Sequence, residues 1–429
     1  AGASVKAVNR WGVTPLSLAC EAGNAPMVEL FLKADANPNT VLAGGETVLM
    51  TAARTGNAEI VRSLIAHGAN VNAREARQGQ TALMWAAAEG NTAAVEALVR
   101  AGADIKAREN YGFTPLLFAA REGKKETLAA LIKAGADPNE IVTPRFRPRQ
   151  RGVTDRVADI TKPGTSALTF AVVNAHYEVA VKLLEAGANP NAMVPGWTPL
   201  HAISWIRKVG TGDNMPAPQG SGSMTSLEMV KQLIDHGANV NARMTRSSVN
   251  TLLTKLNLRG ATPYMLAART DDAELMRYLV KLGADPNIPN EDNSTPLMAA
   301  AGLGTRAPGE DPGSESEAIE AVGVALEYGA KINTVDNKGE TAMHGAAYKA
   351  MPGLVQFLAD KGADVKVWYQ KNKQGWTPLS IALGFHFENF TPSPETEAAI
   401  RKLMNEKGVV ADLENAQFCD RYAKEECKK

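Results

Sequence analysis

Cysteine is nearly absent from this chain. There are three in 429 residues, and two of them, Cys419 and Cys427, close the sequence. So few cannot build a disulfide framework, and none has further cysteine or histidine at the spacing of a zinc site. Net charge is absent too: 46 Lys and Arg balance 46 Asp and Glu. That argues against a general nucleic-acid binder, which needs a basic surplus. No apolar run approaches the roughly 18 residues of a membrane span. A Walker phosphate loop, a metalloprotease helix and a clustered set of metal ligands are all missing. The sequence therefore assigns no catalytic residue, no metal and no cofactor.

What the chain has in abundance is one phrase. Thr-Pro-Leu or a close variant opens at Thr14, Thr47, Thr81, Thr114, Ser166, Thr198, Thr262, Thr295, Thr341 and Thr377. Four of the nine steps are 33 or 34 residues, one is 32 and one 36; the others, 46, 52 and 64, are a repeat plus an insertion. A fixed period of this size is the signature of a solenoid of stacked helical repeats.

The repeat from Gly79 to Ala107 shows its construction. Thr81 caps a helix by accepting an orphan backbone N–H. Sister repeats place proline next, where its missing N–H costs nothing. Leu83 to Ala87 predict a short first helix whose alanines admit a neighbour closely. Gly90 ends it, and Val95, Leu98 and Val99 form the buried stripe of a second. Gly102, in Ala-Gly-Ala-Asp, takes the left-handed position after that helix. Gly-Ala-Asp or Gly-Ala-Asn returns at Gly68, Gly135, Gly187, Gly237, Gly283 and Gly362; Gly329 has Gly-Ala-Lys, and Asp35 replaces the glycine in the first complete repeat.

Gly-x-Thr-Pro-Leu, then Ala-Ala-x-x-Gly-Asn, then Gly-Ala-Asn-Val-Asn-Ala resembles the ankyrin repeat, most closely at Glu46–Arg74, Gln80–Lys106 and Ala261–Asn287. The style, with Gly-Ala-Asp-Pro-Asn at Gly135 and Gly283, resembles bacterial multi-repeat members. The resemblance implies an all-α solenoid of about ten helix-turn-helix repeats joined by hairpin loops. It also implies a concave face made of hairpin tips and first helices. On that face it places Arg54, Arg74, Glu75, Arg77, Arg108, Tyr111, Phe113, Arg121, Trp197, Arg269, Trp368 and Tyr369 as partner contacts. Tyr, Trp and Arg dominate interface energies. Trp197 and Phe113, beside capping threonines, have packing on the neighbouring hairpin as an equal alternative.

Repeats fill 1–139, 165–301 and 317–408, with insertions at 140–164, 207–225, 243–259 and 302–316 and a tail at 409–429. The first insertion carries Arg145, Phe146, Arg147, Arg149 and Arg151: either a loop neutralised in part by Asp155 and Asp159, or a grip on an acidic partner. Five of the six histidines, His67, His176, His201, His236 and His344, hold repeat-level positions and are expected to bond loop backbone. His386 lies off pattern, in a lengthened aromatic turn. Cys20 fills a small-residue slot in the first helix. On a straight helix Cys419 and Cys427 stand about 12 Å apart, too far for a disulfide; a bent tail pairs them, and otherwise they are free thiols. Val5 to Thr14 aligns without gaps on Ile105 to Thr114, so either a helix pair precedes it or the start was trimmed by processing, and a signal peptide with one more repeat upstream is the expectation. The expected function is a non-enzymatic scaffold or accessory subunit that binds protein, periplasmic or secreted. A secreted effector engaging host proteins and an enzyme built on the insertions stand as alternatives.

Overall fold

The computed structural model describes residues 4–10, 12–143, 163–193, 196–210, 218–248, 254–385 and 392–410. Arg145, Phe146, Arg147, Arg149, Arg151, His386, Cys419 and Cys427 lie outside them. The described residues are helical, with only isolated bridges at Val41–Thr47 and Ile141–Ser166. All ten copies of the phrase stand in extended backbone at the N-cap of a first helix, and eight accept a helix N–H with the side-chain oxygen, as Thr114 does from Leu117 at 3.3 Å.

The chain forms two compact units. The first, 1–195 with 218–236, holds five helix pairs and one later helix. The pairs are α1 (Pro15–Glu21) with α2 (Ala25–Lys33), α3 (Val48–Thr55) with α4 (Ala58–Ala66), α5 (Ala82–Glu89) with α6 (Thr92–Arg100), α7 (Pro115–Arg121) with α8 (Lys125–Lys133), and α9 (Ala167–Val173) with α10 (Tyr177–Glu185). The repeat opening at Thr198 is divided: α11 (Pro199–Arg207) belongs to the second unit and α12 (Ser226–Asp235) to the first. The second unit, 196–217 with 237–429, continues with α13 (Pro263–Arg269), α14 (Ala273–Lys281), α15 (Pro296–Ala300), α16 (Glu315–Glu327), α17 (Ala342–Lys349), α18 (Pro352–Asp360), α19 (Val365–Trp368), α20 (Pro378–Ala382) and α21 (Pro394–Glu406). Within each unit first helices pack on first helices and second on second, as α3 on α5 on α7 and α4 on α6 on α8.

The core follows the predicted stripe with one shift. Val95 and Leu98 are fully buried and Ala94 joins them, whereas Val99 is half-buried because it turns toward the rim of its helix. Ala86 and Ala87 are fully buried and let α5 sit close between its neighbours. Asp35, standing where later repeats have glycine, takes the same left-handed backbone at φ 65°. Cys20 is buried, and burial pushes its thiol up to about 12.

Adjacent repeats are also tied by an asparagine ladder. Asn72 donates from its amide to the Gly102 carbonyl at 3.2 Å and accepts from the Asp104 N–H at 2.8 Å. Asn39 and Asn139 do the same in the first unit, and Asn241 and Asn333 in the second. Lys106 occupies this place in the third repeat and breaks the ladder there.

Candidate functional site

At the hairpin tips one acceptor closes each turn on itself. Glu75 takes the N–H groups of Arg77, Gln78 and Gln80 at 2.6, 2.5 and 3.2 Å. Against the upward push of burial, these bonds hold its carboxyl below the usual range. Glu109 takes those of Tyr111 and Phe113, and Asn290, Asp336 and Asn372 repeat the arrangement. Each tip is then braced to the next. Arg74 donates to the Gly79 and Arg108 carbonyls, and Arg108 to those of Gly112 and Ile141.

These contacts redraw the expected surface. Glu75, Arg74 and Arg108 serve the tips. Phe113 is 4% exposed and packs between Phe118 and Phe170, with ring centroids 5.3 Å apart on either side. Trp197 is 2% exposed, edge-on to Trp205 at 5.1 Å. Trp368 is buried because Val365–Trp368 forms a short helix, capped by Asp364, where a tip was expected. Its buried indole N–H has no partner among the described residues, and the residue lines a concavity of about 320 Å³ against α18 and α21. Tyr369 stays half-buried against it.

Arg269 is buried by the acidic 302–316 insertion. Asp311 pairs with it at 2.6 Å, and the Thr305 hydroxyl donates to the same carboxylate. Beneath lies a second buried pair, Lys349 with Asp271 at 2.5 Å, whose carboxyl burial pushes up to about 7. Arg207 meets Asp272 and Glu274, and Lys208 meets Glu317. The ends of the first helices in the second unit are thus occupied by the chain's own acids. Leu303, Thr305 and Ala307 are buried as well, so this stretch covers neighbouring repeats.

At α3 and α7 of the first unit the same helix ends are open, whereas the 207–225 insertion reaches His176 just past α9. Arg54 is exposed and lies over the Trp85 ring at 5.8 Å. Arg121 lies 5.1 Å from both the Phe113 and the Phe118 rings and pairs with Glu122 at the surface. Arg77 and Tyr111 stand exposed on adjacent tips, Tyr111 at 54%. Cation–π stacking of this kind holds an arginine planar and ready for a partner's carboxylate. The sequence reading missed Trp85. Its signal was the position four residues after the capping threonine, which Phe118 and Phe170 share.

The histidines are structural where described. His201 and His344 accept the N–H of their capping threonines at Nδ1, and burial lowers both to about 4. His67 and His236 contact helix carbonyls at 2.9 and 2.8 Å. His176 meets Ser221 of the returning insertion at 3.0 Å. Among the described residues no group of three or more His, Cys, Asp or Glu is arranged to hold a metal ion, and no helix is long and apolar enough to cross a membrane.

Comparison with known proteins gives the same repeat. A family model of ankyrin repeats in three copies matches residues 1–75, 74–141, 223–306 and 314–390, and a single ankyrin repeat matches 195–245. The chain is similar to the E3 ubiquitin-protein ligase KEG of Arabidopsis thaliana, 24% identical over 80% of this chain and 18% of that protein. It is similar to ankyrin repeat and SOCS box protein 16 of Homo sapiens, 36% identical over 51% of this chain and 40% of that one. The chain spans less than half the length of either relative. The solved ankyrin repeat domain of human ASB11 aligns with 67% of this chain and 99% of its own, at 22% identity and a TM-score of 0.45.

Proposed function

Since the chain belongs to the ankyrin-repeat family, we propose that it is a non-enzymatic protein-binding module, a scaffold or an accessory subunit of a larger assembly. It engages its partner through the first unit, where Arg54, Arg77, Tyr111 and Arg121 surround Trp85 and Phe118. The observation that carries this reading is the contrast at one structural position: Arg54 is exposed and Arg121 half-buried without an occupant from elsewhere in the chain, whereas Arg269 is occupied by the chain itself. An exposed arginine–aromatic cluster on a rigid scaffold has the composition of an interface hot spot. The same reading places the protein outside the cytoplasm of a bacterium, on the strength of Cys419 and Cys427 and of the repeat style. Mass spectrometry after alkylation tests that part; two free thiols in native protein remove its argument.

Quantitative affinity capture from the native source tests the binding reading. Tyr111→Ala with Arg77→Ala should deplete the captured partner several-fold while the melting temperature stays within error. Equal capture by the double variant removes this face from the site.

A further inference from the structure

Arg54, Arg121 and Arg269 occupy one register, seven residues after the capping threonine of their repeats. In one of the three the ligand is visible, because the chain supplies it. Arg269 Nη2 meets Asp311 Oδ1 at 2.6 Å, with the two side chains 4% and 7% exposed. Asp311 arrives on the 302–316 insertion, whose sequence Ala-Pro-Gly-Glu-Asp-Pro-Gly runs through turns and bends and forms no helix before Glu315. Thr305, earlier in the same stretch, holds the other carboxylate oxygen. The second unit thus displays in cis what this register binds: a carboxylate carried by a Gly/Pro-rich, non-helical segment.

Arg54 and Arg121 offer the same guanidinium without that occupant. Arg54 has no ion pair among the described residues, only the Trp85 ring beneath it. Arg121 pairs with its own neighbour Glu122, side chains 36% and 41% exposed, and a pair so exposed is weakly held. Resting on the binding reading above, we propose that this face recognises an acidic, non-helical, Gly/Pro-containing segment of its partner protein, seating one carboxylate on Arg54 and one on Arg121. The helices bearing them are joined through α5, α3 packing on α5 and α5 on α7. At about 8–10 Å per helix neighbour, the seats lie roughly 16–20 Å apart. Even a fully extended chain rises only about 3.3 Å per residue, so the two acids are at least about five or six residues apart. Trp85, half-buried between the seats, gives the segment a flat apolar floor, and its indole N–H lacks a partner among the described residues. Glu89 and Glu122 are exposed on the same helix ends. The face is therefore two discrete seats rather than a positive field, and it selects a spaced acidic peptide over a polyanion.

The chain supplies its own probe. A fluorescently labelled peptide of residues 302–316, titrated onto the full protein by anisotropy, should bind saturably. Arg54→Ala and Arg121→Ala should each weaken it about tenfold, as should Asp311→Asn within the peptide. Lys133→Ala, on the second-helix side, should leave it unchanged. Arg121→Lys, which keeps the charge and most of the stem but loses the planar fork, should weaken it as well, and circular dichroism of each variant verifies the fold. Absence of saturable binding, or affinities indifferent to both arginines, overturns the proposal. A native partner that cross-links to this face, and that neither the peptide nor its Asn form displaces, shows the segment chemistry wrong and the binding reading right. Cross-links that avoid the face remove both.

Discussion

Glu75 and Glu109 sit at loop tips, where sequence reasoning expects charge to face water, yet they are 7% and 2% exposed. Each gives up solvent for several backbone N–H groups that the tight turn leaves unpaired, and buried donors demand such acceptors. His201 and His344 perform the matching task at first-helix N-termini. Their titration has a consequence. Both are held neutral, near 4, while an unfolded histidine titrates near 6.5. Below pH 6.5 the unfolded chain binds more protons, so this contribution to stability falls as pH drops toward 4. Asp271, raised to about 7, acts oppositely: its contribution is lost as pH rises through 7. His201→Asn should therefore make the melting temperature less steep between pH 6.5 and 4.5 than in the wild type; identical slopes would refute the assignment. Asp271→Asn keeps the left-handed backbone at φ 53° and strands the Lys349 ammonium. Above pH 7, where the carboxyl is ionised, it should destabilise by about 3–5 kcal/mol, and adding Lys349→Met should recover most of the loss. Denaturant melts of the four proteins of that cycle measure it.

The helices and their links were the most legible part of the sequence. The capping threonines, the proline after them and the glycine after each second helix are local devices, and local devices survive in one dimension. Val99 was misjudged because a stripe read at 3.6 residues leaves its edges undecided, and α19 because Asp364 caps a turn of helix inside an expected hairpin. The asparagine ladder went unread since its bonds join residues about thirty positions apart. Two changes test it. Asn72→Ala removes both bonds and should lower stability by about 1–3 kcal/mol, while Lys106→Asn supplies the missing rung toward Gly135 and should raise it by about 0.5–1.5 kcal/mol. Thermal melts decide both. Leu98→Ala, at a fully buried position, should cost about 2–5 kcal/mol.

At the scale of the whole molecule, repetition hid the site as effectively as it revealed the fold. Ten equivalent positions present ten equivalent candidates, and the period does not say which are used. Arg121 and Arg269 are interchangeable in the sequence and opposite in the structure, because a distant acidic insertion folds onto one of them. The aromatic residues at tips were likewise ambiguous: Trp197 and Phe113 turned inward and Tyr111 outward. What distinguishes the ends of α3 and α7 from those of α11, α13 and α17 is therefore occupancy, and the binding claim stands on it. Cross-linking mass spectrometry of the protein purified gently from its native source tests this directly. Cross-links to another protein should arise from Lys106, Lys124 and Lys125, the lysines nearest the open tips and helix ends around α7. Cross-links confined to the second-helix lysines Lys182, Lys231 and Lys281 would contradict it.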